Sequence, residues 1–259
     1  MSTLPVDLTS WDKERERLKS QLITSNTERW QSRLSDGLSD DGTELKYVAG
    51  VDLSFVKEDE INACAGYVIL KLPSLDVVYE DMTMIELTAP YVPGYLAFRE
   101  ASPLAMIINK QRADRPDLTP QVLLIDGNGI LHHHQFGLAC HLGVILDLPA
   151  IGVAKNLFQM TDVGLLRDDE HKQKIEALTR TGDNFDLMGH GDKVLGSALK
   201  TTESAAKPMF VSIGHRIDLE TANKVTLLCS KFRVPEPTRQ ADIRSREAIR
   251  GYLEQKREK

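Results

Sequence analysis

The sequence predicts an α/β fold with a mixed central sheet, an antiparallel meander followed by parallel strands, flanked by helices. Three observations carry that expectation. Strand-like apolar runs over residues 46–56, 61–72 and 77–87 are joined by connections of hairpin length. Two brief, continuous apolar runs follow at 121–126 (QVLLID) and 150–155 (AIGVAK), the signature of parallel strands buried on both faces. Helical patterns lie between and beyond them.

Composition sets outer limits. The chain has 259 residues, 41% of them hydrophobic, enough for a sizeable core. A formal net charge of -6 argues against binding nucleic acid by bulk charge alone, but does not exclude a nuclease, since a carboxylate-rich site lowers net charge and a local basic face can still track phosphates. Cys64, Cys140 and Cys229 are widely spaced and odd in number, which speaks against a disulfide framework or zinc ribbon. The first residues hold no apolar signal region, and no window approaches 18 apolar residues. The expectation is a soluble chain without a membrane partner, located in the cytoplasm, with the nucleus as a second compartment.

The elements follow in order. A capped, charged helix opens at Thr9–Asp12, within an N-terminal helical region of about 9–34, and a polar connector spans 35–44. After the three meander strands come helices at 94–101 and 103–113, separated where Ser102 fits an N-cap and Pro103 the first helical position. Glu100 then falls near a helix break. Strand 121–126, a glycine-rich turn, helix 136–147 and strand 150–155 complete a β-β-β-α-β-α-β order, which is that of the ribonuclease H-like architecture. That analogy gives a fold and no function. Helix 169–180, a pair of strands at 192–201 and 208–214, and helix 218–232 come next. A proline-broken link at 234–238 leads into a last helix of about 238–256, and residues 1–259 read as one domain.

Two carboxylates stand out. Asp52 interrupts an apolar strand and Asp126 ends another, where an ionised group is costly unless paired or metal-bound. If the first and fourth strands are neighbours, the two come within a few ångströms and need a cation between them. Oxygen donors of this kind suit magnesium or manganese. Each aspartate alone also fits a turn or bulge, and Glu100 and Asp242, on spacing alone, read as solvated helix charges. The tract His132, His133, His134 looks like a zinc site, but neighbours on a regular strand point to opposite faces and magnesium disfavours imidazole.

Several separated motifs, in order, carry a resemblance. They are VDLSF at 51–55, LTAPYVPGYLAFRE at 87–100, LIDGNGILH at 124–132, FGLACHLGV at 136–144, IGVAK at 151–155, SIGHR at 212–216 and TRQAD at 238–242. Together they resemble the endonuclease V family over most of the chain. The resemblance implies a ribonuclease H-like fold and magnesium-dependent cutting at the second phosphodiester bond 3′ to a hypoxanthine-bearing nucleotide, with manganese able to substitute. It implies Asp52, Asp126 and Asp242 as metal ligands, Glu100 as a catalytic glutamate and Lys155 as a lysine near the scissile phosphate. Pro90, Tyr91, Val92 and Pro93 match a wedge that fills the gap left by an extruded base. Leu96, Gly127, Asn128, Gly129, Leu138 and Phe158 correspond to a base pocket, while His132, His215 and Arg239 are candidate phosphate contacts. His215 fits a satisfied core histidine equally well.

The expected partner is inosine-containing single-stranded RNA, because 120–133 and 233–237 are closest to eukaryotic-type members. Deoxyinosine in DNA is the alternative substrate, and a non-catalytic inosine- or RNA-binding module is the rival class. Lys224, Lys231, Arg233, Arg239, Arg244 and Arg246 form an expected phosphate-tracking face. The chain departs from the family at three places. Arg15 follows Glu14 where relatives often have Gln, His133 stands where many have proline, and His134 where arginine is usual. The resemblance gives Arg15 no role.

Overall fold

A computed structural model describes residues 7–34, 44–59, 61–165 and 168–257. The connector expected over 35–44 lies outside them except for Glu44. The strands are β1 (Tyr47–Phe55), β2 (Asn62–Lys71), β3 (Asp76–Glu86), β4 (Val122–Asp126), β5 (Ala150–Ala154), β6 (Asn184–Met188), β7 (Val194–Leu199) and β8 (Met209–His215). They form one sheet in the order β3-β2-β1-β4-β5-β8-β7-β6. The β1–β2–β3 meander is antiparallel, β1–β4 and β4–β5 are parallel, and β8 turns back antiparallel against β5. This is the expected ribonuclease H-like arrangement. Its central parallel strands are short and apolar because both faces are covered.

The helices are α1 (Leu8–Lys19), α2 (Arg29–Arg33), α3 (Leu96–Asp114), α4 (Leu138–Leu146), α5 (Asp169–Glu176), α6 (Leu219–Leu228) and α7 (Glu236–Arg257). Alternation along the strands sorts them into two layers. Ala49, Val51, Leu123 and Ile125 face Leu104 and Ile108 of α3 and Leu142 of α4. Val48, Val68, Leu124 and Val211 face Ala241 of α7 and Val225 of α6.

Four expectations change. The helix expected to open at Thr9 starts at Leu8, capped by the Asp7 carboxylate, which accepts from the Ser10 N–H. The single N-terminal helical region is two helices, α1 and α2, with Asn26 between them bonded to Asp218 and Thr221. Pro103 does not split α3. The missing N–H costs one helical bond, and the apolar stripe of Ala97, Ala101, Leu104, Ala105 and Ile108 runs straight through the position, so packing outweighs the proline penalty of about 3 kcal/mol. Glu100 therefore projects from an unbroken helix. Likewise the 234–238 link does not lie wholly ahead of the last helix: Pro235 precedes α7, but Pro237 sits in its first turn, where a missing N–H has no partner to lose. β6 escaped the sequence pattern because only Leu187 of its five residues is buried.

Close backbone contact seats α7 on the meander. A Cβ at Gly50 in β1 would lie 2.1 Å from the Pro237 carbonyl, and one at Gly66 in β2 would lie 3.0 Å from Ser245 Cβ. Both positions need glycine for space, not for an unusual backbone angle. In contrast, a Cβ at Gly251, within α7, meets nothing within 4 Å. Urea unfolding should therefore separate two alanine variants. Gly50→Ala is expected to lose several kcal/mol, about 3 or more, or to fail to fold. Gly251→Ala should gain about 0.5–1 kcal/mol from helix propensity.

Candidate active site

Strand register assembles the site. Val51 pairs with Ile125 across the parallel β1–β4 ladder, so Asp52 and Asp126, each one residue further, leave adjacent strands side by side. Asp126 is also the last residue of β4, at the carboxyl end where open α/β sheets gather ligands. Lys155 follows the last residue of β5, parallel to β4, and its Nζ donates to Asp126 Oδ2. Arg233 fixes the lysine's backbone by donating from Nη2 to the Lys155 carbonyl and, at 3.0 Å, to that of Pro208.

From α3, the buried Glu100 reaches the same ground. From α7, Asp242 adds a charge that both Asp52 and Lys155 feel. Asp242 Oδ1 accepts from Arg246 Nε at 2.6 Å. Asp52 Oδ2 accepts from Ser54 Oγ at 3.0 Å and from Ser245 Oγ at 3.3 Å, and the two hydroxyls lie 2.8 Å apart. Neither serine was singled out in the sequence. Ser54 had a signal, since it lies two residues beyond Asp52 and so shares its face. Ser245 had none, because its place depends on how α7 docks.

Electrostatics follow from crowding. Burial, and then the Asp126 charge, push the Asp52 carboxyl up to about 6 against the pull of the Ser54 hydrogen bond. Burial, and then the Asp52 charge, push Glu100 up to about 8. Burial alone would depress the Lys155 ammonium, but the hydrogen bond and charge of Asp126 raise it overall. Among the described residues no three His, Cys, Asp or Glu side chains converge as a finished ion cage. Lys155 pairs with Asp126. The donor set nevertheless suits a hard divalent cation: carboxylate oxygens that resist ionising together are those a dication would relieve.

Beside the carboxylates lies a cavity of about 270 Å³. Of the expected pocket residues, Leu96, Gly127, Asn128, Leu138 and Phe158 line it. Gly129 does not. It packs behind the turn, where a Cβ would lie 1.9 Å from the Ile213 carbonyl oxygen, and its N–H donates to Ser212 Oγ at 2.8 Å. Asp126 and Lys155 line the cavity as well, so it opens directly onto the carboxylate cluster. Arg15, Tyr95, Phe136 and His141 complete walls that the sequence did not announce.

The three histidines diverge. His132 lines the cavity, its Nδ1 accepts the His134 N–H at 3.3 Å, and burial holds its pKa down at about 4, so it is neutral near pH 7. His133 turns to Asp162 at 2.7 Å, and His134 lies 5.4 Å from the Tyr95 ring. The wedge residues Pro90, Tyr91, Val92 and Pro93 sit in irregular chain before α3, with Tyr91 62% exposed.

Other expected contacts fall elsewhere. His215 is buried at the far end of the sheet, beside Ala150 at the start of β5, and its Nδ1 accepts the Ile23 N–H at 3.2 Å. It is a satisfied core histidine and not a phosphate contact. Arg239 is bound to Glu236 at 2.7 Å and lies 4.8 Å over the Phe232 ring. The expected basic face is also not a bare one. Lys224 pairs with Glu220, Arg244 with Glu80 and Arg246 with Asp242, while Lys231 donates to the Ser74 carbonyl.

Half-buried carboxylates beside a parallel strand pair, a lysine among them and a base-sized cavity alongside suit a nuclease, an enzyme that hydrolyses phosphodiester bonds. The comparisons then fix the family. The sequence profile described as Endonuclease V matches residues 29–243. The Homo sapiens endonuclease V is 49% identical over 246 residues, covering 95% of this chain and 84% of that protein. The Mus musculus protein is 50% identical over 248 residues, covering 96% of this chain and 71% of its own length. The crystal structure of the human catalytic domain superposes with a TM-score of 0.91 at 48% identity, covering 96% of this chain and 99% of that one. A Ciona intestinalis endonuclease V, solved with a DNA containing an inosine followed by a ribo-adenosine, gives 0.83 at 34% identity, with 95% and 98% covered. This chain belongs to the endonuclease V family.

The raised carboxyls make a pH prediction. A group whose pKa is higher folded than unfolded adds stability that is present below its unfolded value and lost as pH rises through its folded value. For Glu100 those values are 4.5 and about 8. In chelating buffer, Glu100→Gln should therefore gain in melting temperature relative to the wild type as pH rises from about 5 to about 8. Adding a divalent cation at the upper pH should shrink the gap. A difference that is flat across this window counts against the crowded-carboxylate account.

Proposed function

We propose that this chain is a magnesium-dependent endoribonuclease that cleaves inosine-containing single-stranded RNA at the second phosphodiester bond 3′ to inosine. One observation carries the reading: Asp126 and Lys155 belong both to the carboxylate cluster and to the wall of the base-sized cavity. A base held there keeps its own strand's phosphates within reach of the acidic site. The Ciona protein's complex is with a DNA whose inosine is followed by a ribo-adenosine, and that single ribonucleotide supports the preference for RNA at the position after inosine.

Asp52, Asp126 and Asp242 would hold the metal, with Glu100 beside them. When bound, magnesium, or manganese in its place, lowers the pKa of water and offsets phosphate charge. The protein's own groups supply the rest. Ser54 and Ser245 hold the Asp52 carboxylate in one orientation. The Lys155 ammonium supports negative charge developing on the phosphate. His132, neutral and inside the cavity, offers a hydrogen bond and no fixed charge. Tyr91, between two prolines that stiffen its turn, stacks into the space left by the extruded base.

Matched oligonucleotides with a single inosine, one all-ribo and one all-deoxy, test the reading with magnesium present and in chelator. The ribo strand should be cut faster, only with metal, and Asp52→Ala should abolish cutting while retaining inosine binding. Faster cutting of the deoxy strand would make this a DNA enzyme instead. Binding of inosine RNA without cutting by the wild type in magnesium would make it a binding module. Tyr91→Ala should weaken binding of the inosine strand by about tenfold or more, the scale of one lost base stack, as read by fluorescence anisotropy. An unchanged Kd would remove Tyr91 from the wedge.

A further inference from the structure

Arg15 is a cation where apolar lining is the rule. It reaches the base cavity from α1, a helix separated from the motif segments, and its side chain is only 12% exposed. Such burial is tolerated because the guanidinium is held on several sides. Nη1 donates to Asp12 Oδ1 at 2.5 Å, Nε and Nη2 both donate to Glu16 Oε1 at 3.2 Å, and Cζ lies 5.7 Å over the Tyr95 ring. The frame is itself fixed. The Tyr95 hydroxyl donates to Asp12 at 2.6 Å, and Trp11 stacks on Phe98 at 5.0 Å with nearly parallel planes. Tyr95 and Phe98 also line the cavity, so α1 is part of its wall, and Arg15 is a charged element of that wall apart from the Asp126–Lys155 pair. The nearby imidazoles register that charge, since Arg15 is among the groups that disfavour protonation of His132 and His134.

A guanidinium has five N–H donors and no acceptor. Those left over by Asp12 and Glu16 can satisfy an acceptor on a base, and they can only oppose another donor. Hypoxanthine carries a 6-oxo acceptor where adenine carries a 6-amino donor. A mismatched pair in a water-poor pocket leaves buried donors unpaired.

We propose that Arg15 is a specificity-determining residue of the base pocket, whose donor-only guanidinium selects purines with an acceptor at the 6-position over those with an amino group there. This rests on the inosine reading above. It gives a side chain of α1 a part in reading the base.

Equilibrium binding in chelator, followed by fluorescence anisotropy, tests it without any need for catalysis. The probes are three oligoribonucleotides identical except for one inosine, one adenosine or one purine riboside, the last lacking the 6-oxo group. Wild type should prefer inosine to purine riboside. In Arg15→Ala that preference should shrink by about tenfold, the scale of a hydrogen bond from a charged donor, and Arg15→Lys should restore part of it. Circular-dichroism melting of each variant shows that the fold is retained, and Arg15→Gln serves as the uncharged variant of similar length if Arg15→Ala does not fold.

The decisive quantity is the change in the ratio, not in affinity. If the arginine variants weaken inosine and purine riboside strands equally, Arg15 holds phosphate or merely packs α1, and the proposal is overturned with the inosine reading intact. If the wild type itself shows no preference for inosine, both fall together.

Discussion

Asp52 and Glu100 are drawn so far from water, and so near each other, that ionising one raises the cost of ionising the other, and the charge of Asp126 adds to that cost for both. That mutual opposition explains much of the local architecture. Lys155 lies against Asp126 as an internal counter-ion, and Arg233 grips the lysine's carbonyl so that it stays there. The Ser54 and Ser245 hydroxyls give Asp52 the hydrogen bonds that burial would otherwise deny it. A divalent cation entering this ground would take over the neutralising task.

The surrounding sheet is what makes such crowding affordable. Short parallel strands covered on both faces supply rigid ends, and the apolar layers of α3 and α7 clamp the meander from opposite sides. Rigidity matters for the base cavity too. Its turn is locked by glycine against backbone: a Cβ at Gly152 would lie 2.4 Å from the Gly129 nitrogen, and one at Gly137 would lie 2.4 Å from the Asn128 carbonyl oxygen. Gly129 thus serves the pocket by letting the turn sink onto β5 and β8, not by touching a base.

How far the sequence could be read depended on whether a residue's task was local. Asp52 and Asp126 were legible because an acidic residue in an apolar strand contradicts its neighbours wherever the strand goes. The meander and the parallel pair were legible from run length and spacing. Pro103 misled because its penalty is local whereas the packing that overrides it is not. Pro237 misled in the opposite sense, since a helix tolerates proline in its first turn. His215 carried the right motif, yet lies at the far end of the sheet, and motif membership does not say at which end of a strand a side chain emerges. Arg15 and Ser245 were silent for the same reason as each other. Each reaches the site from a terminal helix, and nothing in the local pattern reveals where a terminal helix docks.

Ser245 is separated from Asp52 by 193 positions, and Asp242, on the same helix, completes the acidic cluster. Gly50 and Gly66 hold open the berth for that helix from the earliest strands. During synthesis the sheet's first half emerges long before the segment that fills the berth, and domains take shape as the chain is delivered from its N-terminal side. The acidic cluster therefore stays incomplete until the chain has been delivered through Asp242. A nuclease built this way gains its full acidic set only after the sheet that carries Asp52 and Asp126 is in place.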